Sequence, residues 1–260
     1  MWGGNLRDGS VQYTGTMPFY YPMDVNFPDE GAEGLQYYYI ENWTNVNWYN
    51  NDESQDMYEH MYLEVNLVPV LGEGSGLYRV YYGQNSYDYV YDDCEECDGY
   101  YYSYDEGSYG QFVVGTPTTI GQIDERINAG NVMAHYSGTG IWYGSQDVEI
   151  NVNFADGSWD GTWNDGADGN VYTNNYYGPL HVSGEVGFMA EGNIDGNTFV
   201  SNSVSASDGQ VSGQVVGAFF NPSGNAVAGV VDIVKTVPGE YTDAQHVSTF
   251  AAIEIIDRPR

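Results

Sequence analysis

The two cysteines of the chain, Cys94 and Cys97, form a CxxC motif, which is typical of redox sites, zinc sites and short disulfides. A redox motif lies at the start of a helix, where the thiolate is stabilised, whereas five carboxylates surround this pair and disfavour a thiolate. No second CxxC and no neighbouring histidine completes a set of zinc ligands. We therefore expect a disulfide between Cys94 and Cys97, which indicates an oxidising compartment.

Two acidic stretches carry oxygen ligands of the kind that Ca²⁺ prefers. Neither stretch fits the EF-hand spacing. Each stretch can therefore be interpreted either as an irregular calcium site or as a solvated, glycine-rich turn. The first stretch holds Asp92, Asp93, Glu95, Glu96 and Asp98 around the cysteines, and the second, residues 160–170, holds Asp160, Asp165 and Asp168.

A histidine with aromatic neighbours is the one candidate for binding an organic cofactor. His60 shares one face of a predicted strand with Tyr58 and Tyr62, and methionines lie next to it in the chain. Imidazole and thioether groups are common haem ligands, so His60, with Tyr58 and Tyr62 beside it, is a candidate haem ligand. A half-buried strand histidine explains the same pattern without any ligand.

The other histidines give no catalytic arrangement. His135, His181 and His246 fall on the polar phase of their predicted strands, so we expect their side chains to face solvent. The sequence holds no recognisable Ser/His/Asp or Cys/His arrangement, and carboxylates are too numerous for one pair to stand out. The sequence therefore predicts a protein without enzymatic activity.

The charge balance of the sequence argues against nucleic-acid binding. Six Lys and Arg stand against 37 Asp and Glu, which gives a net charge of −31, and Lys235 is the only lysine. A field of this sign repels phosphate backbones, so we expect no nucleic-acid partner. Salt or divalent cations would screen the self-repulsion, and this favours a saline habitat, a calcium-loaded surface protein, or both together.

The sequence also predicts no membrane-spanning helix. No apolar run reaches the roughly 20 residues that such a helix needs. No cationic and then apolar signal sequence precedes Trp2. We therefore expect the chain as given to be soluble and to be a mature form.

The composition predicts an all-β protein. The chain has 26 Tyr and 34 Gly, a combination that favours strands and turns over helices. Tyrosines concentrate at 37–39, 81–91 and 100–104, and we expect these segments to form an antiparallel, Tyr-faced meander within a first domain, residues 1–130. One short helix is predicted at 118–128, at the end of this domain. Tyrosine suits interfaces, including those of a homo-oligomer, but exposed strand faces explain the same pattern.

Residues 131–260 are predicted to form a second domain, an antiparallel barrel of about eight strands. Short strands and turns recur there at roughly 8–12 residues, as is typical of barrels and sandwiches. The last hairpin joins strands at 211–220 and 226–234 through Asn-Pro-Ser-Gly-Asn, which are turn-forming residues. Gly213 and Gly217 alternate with apolar residues, so we expect both to face the interior of the barrel at a tight bend.

The hairpin sequence GAFFNPSGNAVAGVV, residues 217–231, resembles the hairpin that closes the β-barrel of transferrin-binding protein B and its relatives. AHYSG, residues 134–138, is similar to the opening strand of the same barrel. Asn221 stands where that family usually has glycine, and residues 227–229 depart from its Ala-Glu-x-Gly-Gly pattern. The family comprises bacterial surface lipoproteins and secreted haem carriers, among them the hemophilin-like proteins.

The resemblance implies a handle-like first domain, a barrel and an extracellular or outer-surface location. It also implies non-catalytic binding of haem or of a protein partner. The alternative is a structural surface or filament subunit that self-associates through its Tyr-rich strands, because unpaired strand edges can pair between subunits.

Overall fold

The computed structural model describes residues 5–7, 10–12, 34–46, 53–72, 75–90, 100–141, 146–174 and 180–255. Side chains are described for 66–72, 75–79, 111–140, 146–174 and 180–255. The chain is all-β, as predicted from its composition. It divides into two compact units: Leu35–Val65 with Arg79–Gly110, and a barrel unit that includes Asn66–Tyr78 and Gln111–Arg260.

The amino-terminal strands form two small sheets. A hairpin pairs the first two strands, and in the four-stranded sheet each strand pairs with the next one in sequence, which is the order of the predicted meander. A 3₁₀ turn, Pro69–Leu71, separates β4 from β5. The strands are β1 (Asn5–Arg7), β2 (Ser10–Gln12), β3 (Gly34–Val46), β4 (Glu53–Leu67), β5 (Gly76–Val90) and β6 (Tyr100–Val114).

The helix α1, Ile120–Asn128, confirms the prediction for 118–128 and covers one end of the barrel. Thr119 and Gln122 form a capping box, in which each side chain binds the backbone N–H of the other residue, and this fixes where the helix starts. Ile123 on its inner face joins the apolar core of the barrel. Gly196, in the turn that follows β12, lies beside the Ile120 side chain, so the helix contacts a barrel turn.

Eight antiparallel strands close into a barrel, as the sequence predicts. Their order is β7-β8-β9-β12-β13-β14-β15-β16, and β16 pairs back with β7 from Thr249↔Ile141 to Glu254↔Tyr136. Two short strands lie outside this circle: β11 pairs in parallel with β16, and β10 pairs with β11. The strands are β7 (Met133–Ile141), β8 (Gln146–Asn153), β9 (Ser158–Trp163), β10 (Val171–Asn174), β11 (His181–Gly184), β12 (Phe188–Asp195), β13 (Thr198–Ser205), β14 (Gln210–Phe220), β15 (Ala226–Val237) and β16 (Tyr241–Glu254).

The interior of the barrel is filled by side chains. Val148, Ile150 and Val152 of β8 are buried at alternate positions, because successive side chains of a strand point to opposite faces. The rings of Trp163 and Phe188 stack with centroids 4.5 Å apart. Further interior aromatic residues are Tyr136, Phe154, Trp159, Phe199, Phe219 and Phe250. An eight-stranded barrel is just wide enough for its side chains to fill it.

The hairpin of β14 and β15 forms with the predicted turn, but of the two glycines expected to face the interior, Gly213 and Gly217, only Gly217 does so. Gly217 faces inward against the Phe199 ring. Gly213 instead is exposed and has a φ of +131°, so the expectation that Gly213 faces the interior is wrong. The positive φ interrupts the alternation of the strand at this point.

The outer face of the same hairpin carries a second apolar cluster. Ala218, Phe220 and Ala228 are buried there against Leu71 of the 3₁₀ turn before β5 and Val113 near the end of β6. Gln111 Nε2 also donates a hydrogen bond of 2.8 Å to the carbonyl of Val247 on β16. This part of the barrel wall is therefore covered on both faces.

The described residues contain no helix that is long and apolar enough to cross a membrane.

Candidate functional site

The only lysine of the chain, Lys235, lies fully buried inside the barrel on β15. Its Nζ contacts Oδ1 of Asp168, lies 2.8 Å from Oδ1 of Asp208 and donates a hydrogen bond of 2.6 Å to the carbonyl of Gly187. Three oxygen atoms thus surround an ammonium group that has three N–H donors. This is the densest group of charges inside the described part of the barrel.

The two aspartates come from connections at one end of the barrel. Asp168 follows the 3₁₀ turn Asn164–Gly166, and Asp208 lies in the turn between β13 and β14. The backbone N–H of Asp168 donates to Asp208 Oδ2 at 2.6 Å, which holds the two connections together. A Cβ at Gly187 would lie 2.0 Å from the backbone of Ala167, so only glycine permits this close approach.

Both oxygens of Asp168 are held by hydrogen-bond donors besides the lysine. The N–H of Gly187 donates to Oδ1 at 2.8 Å, and the hydroxyl of Tyr241 donates to Oδ2. The side chain of Asp168 is 7% exposed and that of Asp208 is 27% exposed. Asp168 is therefore the inner carboxylate, and Asp208 is the one that reaches solvent.

The surroundings fix the protonation of two groups in this cluster. Burial, together with the hydrogen bond to Asp168 and its negative charge, raises the pKa of Tyr241 well above its usual value. Burial raises the pKa of Asp208, but hydrogen bonds from Lys235 and from the Asp168 backbone outweigh it, so the net shift of this pKa is downward. Tyr241 is therefore a protonated donor, and Asp208 is an ionised carboxylate.

A buried histidine lies close to this cluster, and its position corrects the expectation from the sequence. His246 on β16 is 1% exposed and faces the interior, whereas the sequence placed it on the polar phase of its strand. The reason is that the outer face of β16 is also covered, so apolar residues occupy both phases of the strand. His135 is exposed, as predicted, and His181 is half-buried.

The hydrogen bonds of His246 define its tautomer. Nδ1 lies 3.0 Å from the carbonyl of Val182, an acceptor, so Nδ1 carries the proton. Nε2 is then the acceptor, 2.9 Å from Ser248 Oγ and 3.2 Å from Gln146 Nε2. Burial lowers the pKa of His246 to about 4, which keeps the ring neutral. His246, Ser248 and Gln146 are hydrogen-bonded to one another and to the carbonyls of Val182 and Val186.

The structure does not bring the carboxylates of the second acidic stretch together. Asp160 is exposed on β9 and accepts a hydrogen bond from Asn151, Asp165 is exposed in the 3₁₀ turn, and Asp168 is bound to Lys235. The described residues include no group of three His, Cys, Asp or Glu side chains placed to hold a metal ion. The calcium hypothesis for residues 160–170 therefore receives no support from these positions.

The remaining candidate residues lie outside the described side chains. Tyr58, His60 and Tyr62 occupy alternate positions of β4, in the part of that strand whose side chains are not described. Residues 91–99 also lie outside the described residues, and with them Cys94, Cys97 and the carboxylates Asp92, Asp93, Glu95, Glu96 and Asp98. The haem site, the disulfide and the first calcium site thus stay predictions.

Sequence reasoning missed the cluster around Lys235, although one signal pointed to it. Lys235 shares the phase of Val231, Ile233 and Val237, all of which are buried. A charged residue at an inward position needs a partner of opposite charge, because burial of an unpaired charge is costly. Its partners Asp168 and Asp208 are distant in sequence, so spacing alone could not identify them.

No protein-family model matches this chain, and neither does any curated protein sequence. The resemblance to transferrin-binding protein B rests on the hairpin and strand motifs and stays a prediction, whereas the closed barrel itself is present in the structure.

Proposed function

We propose that this protein is a non-catalytic binding protein of a bacterium that acts outside the cell or on its outer surface. The barrel serves as a rigid support, and the Tyr-rich four-stranded sheet of β3 to β6 provides the surface that binds haem or a protein partner. The observation that carries the proposal is the packing inside the barrel. Aromatic and aliphatic side chains fill it, and the polar groups at one end, Lys235 and His246 among them, are paired within the barrel wall and its connections.

The sheet has the composition of a binding surface. Its strands are 13 to 15 residues long and carry most of the tyrosines of the chain. Tyrosine combines a large apolar ring with a hydroxyl group, and for this reason it is enriched at interfaces. His60 on β4 supplies a haem ligand of the usual kind.

The protein purified from its native source tests this proposal. A Soret band in its absorbance spectrum identifies haem as the ligand, and a stoichiometric co-purifying polypeptide without that band identifies a protein partner. A colourless protein that carries neither, and that assembles into polymers seen by electron microscopy, contradicts the proposal and favours a structural subunit.

A structural, self-associating role is the second candidate, and the order of the sheet favours it. In the described strands, β3 and β6 each have one neighbour in the sheet β3-β4-β5-β6, so each presents one edge for further pairing. Long exposed edges pair with other chains unless charges or prolines block them. Tyr38→Lys in β3 should then abolish polymers, whereas Tyr172→Lys on the short strand β10 should leave them unchanged.

A further inference from the structure

The cluster around Lys235 has the parts of a self-crosslinking site, and this inference is independent of the ligand of the protein. We propose that Lys235 and Asp168 join through an isopeptide bond between Nζ and Cγ, formed within the folded chain, with Asp208 as the proton-transfer group. The bond would link β15 to the connection that follows β9.

The positions of the three groups carry the proposal. Lys235 is 0% exposed, its Nζ contacts Oδ1 of Asp168, and Asp208 Oδ1 lies 2.8 Å from the same nitrogen. An amine held against a carboxyl group reacts as if both were at very high concentration. The second carboxylate touches the reacting nitrogen, as general acid–base catalysis requires.

The reaction is a condensation that needs no other reactant. One proton moves from the Lys235 ammonium to Oδ1 of Asp168, which leaves a neutral amine and a neutral acid. The lone pair of Nζ then forms the N–C bond to Cγ. Asp208 takes a second proton from Nζ and passes it to Oδ1. The Cγ–Oδ1 bond breaks, Oδ1 leaves as water, and Asp208 is again a carboxylate.

The remaining hydrogen bonds fit the transition state of this reaction. As Nζ attacks, negative charge develops on Oδ2, the oxygen that accepts the hydrogen bond from Tyr241. Hydrogen-bond donors aimed at such a developing charge stabilise the transition state more strongly in a water-poor site than they would in water. The Gly187 N–H, 2.8 Å from Oδ1, holds the carboxyl group in place. Asp208 is the more exposed carboxylate, so the released water has a route to solvent on its side.

Burial supplies the driving force. An ammonium and a carboxylate inside a barrel have both lost their hydration, and the desolvation of each ion opposes the charged state before their mutual attraction is counted. The condensation replaces both charges by one neutral amide and releases the water. In water the charged pair is favoured over the amide, but in this interior the balance shifts toward the amide because the charges are desolvated.

The single lysine makes the test direct. The mass of the denatured wild-type protein should be lower than that calculated from the sequence by one water molecule, and the Lys235→Met variant should have its full calculated mass. An amine-reactive label applied under denaturing conditions should modify only the amino terminus of the wild-type chain, because the amine of Lys235 is consumed. Trypsin should fail to cleave after Lys235.

The controls separate this bond from other causes of lost mass. An aspartate that cyclises to a succinimide also loses water, but it leaves the Lys235 amine free to take the label and leaves trypsin able to cleave. Asp208→Asn keeps both bonded residues and should slow the mass loss at least tenfold, since general acid–base catalysis contributes 10²–10⁴-fold in typical sites. Full mass and a labelled Lys235 in the folded wild-type protein would overturn the proposal, and so would an equal mass loss in Lys235→Met.

Discussion

Gly217 of β14 lies directly opposite Phe199 of β13, and the Phe199 ring occupies the space that a side chain at Gly217 would need. A Cβ at Gly217 would lie 2.3 Å from Cζ of that ring. The ring has little room to move, because its centroid lies 4.9 Å from that of Trp159 and 5.5 Å from that of Phe219. The absence of a side chain at Gly217 therefore permits the packing of the Phe199 ring inside the barrel.

We predict that Gly217→Ala lowers the free energy of unfolding by about 1–3 kcal/mol, the usual cost of overpacking a core. Urea denaturation followed by tryptophan fluorescence measures this change. Gly121→Ala is the matched control: nothing lies within 4 Å of the Cβ it would add, and it replaces glycine within α1. The control should raise stability by up to about 1 kcal/mol. Equal stability of the two variants would place Gly217 outside the packed interior.

A second prediction concerns the ion pair between Arg126 of α1 and Glu254 of β16. The two terminal nitrogens of the guanidinium group donate to the two carboxylate oxygens at 2.8 and 2.5 Å, and the side chains are 10% and 14% exposed. Arg126→Met leaves Glu254 without its partner and should cost about 1–3 kcal/mol. A double-mutant cycle with Glu254→Gln should give a coupling energy of about 0.5–3 kcal/mol. A coupling of zero would show that the pair does not hold the helix on the barrel.

A third prediction concerns pH. Burial lowers the pKa of His246 from its usual value of 6.5 to about 4, so between these values the unfolded chain binds a proton that the folded chain does not. Stability should therefore fall as pH decreases from 6.5 toward 4, by roughly 3 kcal/mol at most for this group, since one pKa unit corresponds to about 1.4 kcal/mol. The lowered pKa of His181 acts in the same direction.

Chemical denaturation between pH 7 and about pH 5 measures how the free energy of unfolding changes with pH, in a range where most carboxylates are still ionised. His246→Gln should flatten the dependence of the free energy of unfolding on pH. An unchanged slope in His246→Gln would contradict a neutral, buried His246.

A fourth prediction concerns the net charge of −31. Folding brings these charges within about one Debye length of one another, so added NaCl should raise the melting temperature by screening. We expect millimolar CaCl₂ to raise it more than NaCl of matched ionic strength, and MgCl₂ to raise it less than CaCl₂, if the carboxylates at 92–98 bind calcium. A bound ion adds about 2.7 kcal/mol at one hundred times its Kd. Equal shifts for the three salts would eliminate the calcium site.

The alternation of residues sufficed to predict much of the barrel. Val148, Ile150 and Val152 alternate with polar residues and face the core, and the hairpin turn at 221–225 ends both of its strands where the sequence indicates. The short helix follows from its own capping residues. These features are local, so the residues that specify them lie close together in the sequence.

The polar interior could not be predicted in the same way. The alternation around His246 predicts a solvent-facing side chain, yet the outer face of β16 is covered by Gln111 of another segment and His246 lies inside. Lys235 and Asp168 are 67 residues apart in the chain, and the closed barrel together with the connection beyond β9 brings them into contact. Such contacts depend on the tertiary structure, which spacing along the chain does not record.

A haemin titration followed by absorbance tests most directly the claim that the Tyr-rich sheet, and not the barrel interior, holds the ligand. Wild-type protein at micromolar concentration should develop a Soret band, His135→Ala should behave identically, and His60→Ala should lose the band. Absence of the Soret band in the wild-type protein would contradict haem binding. A band that survives in His60→Ala, but disappears when the interior residue His246 is replaced, would contradict the placement of the ligand on the sheet.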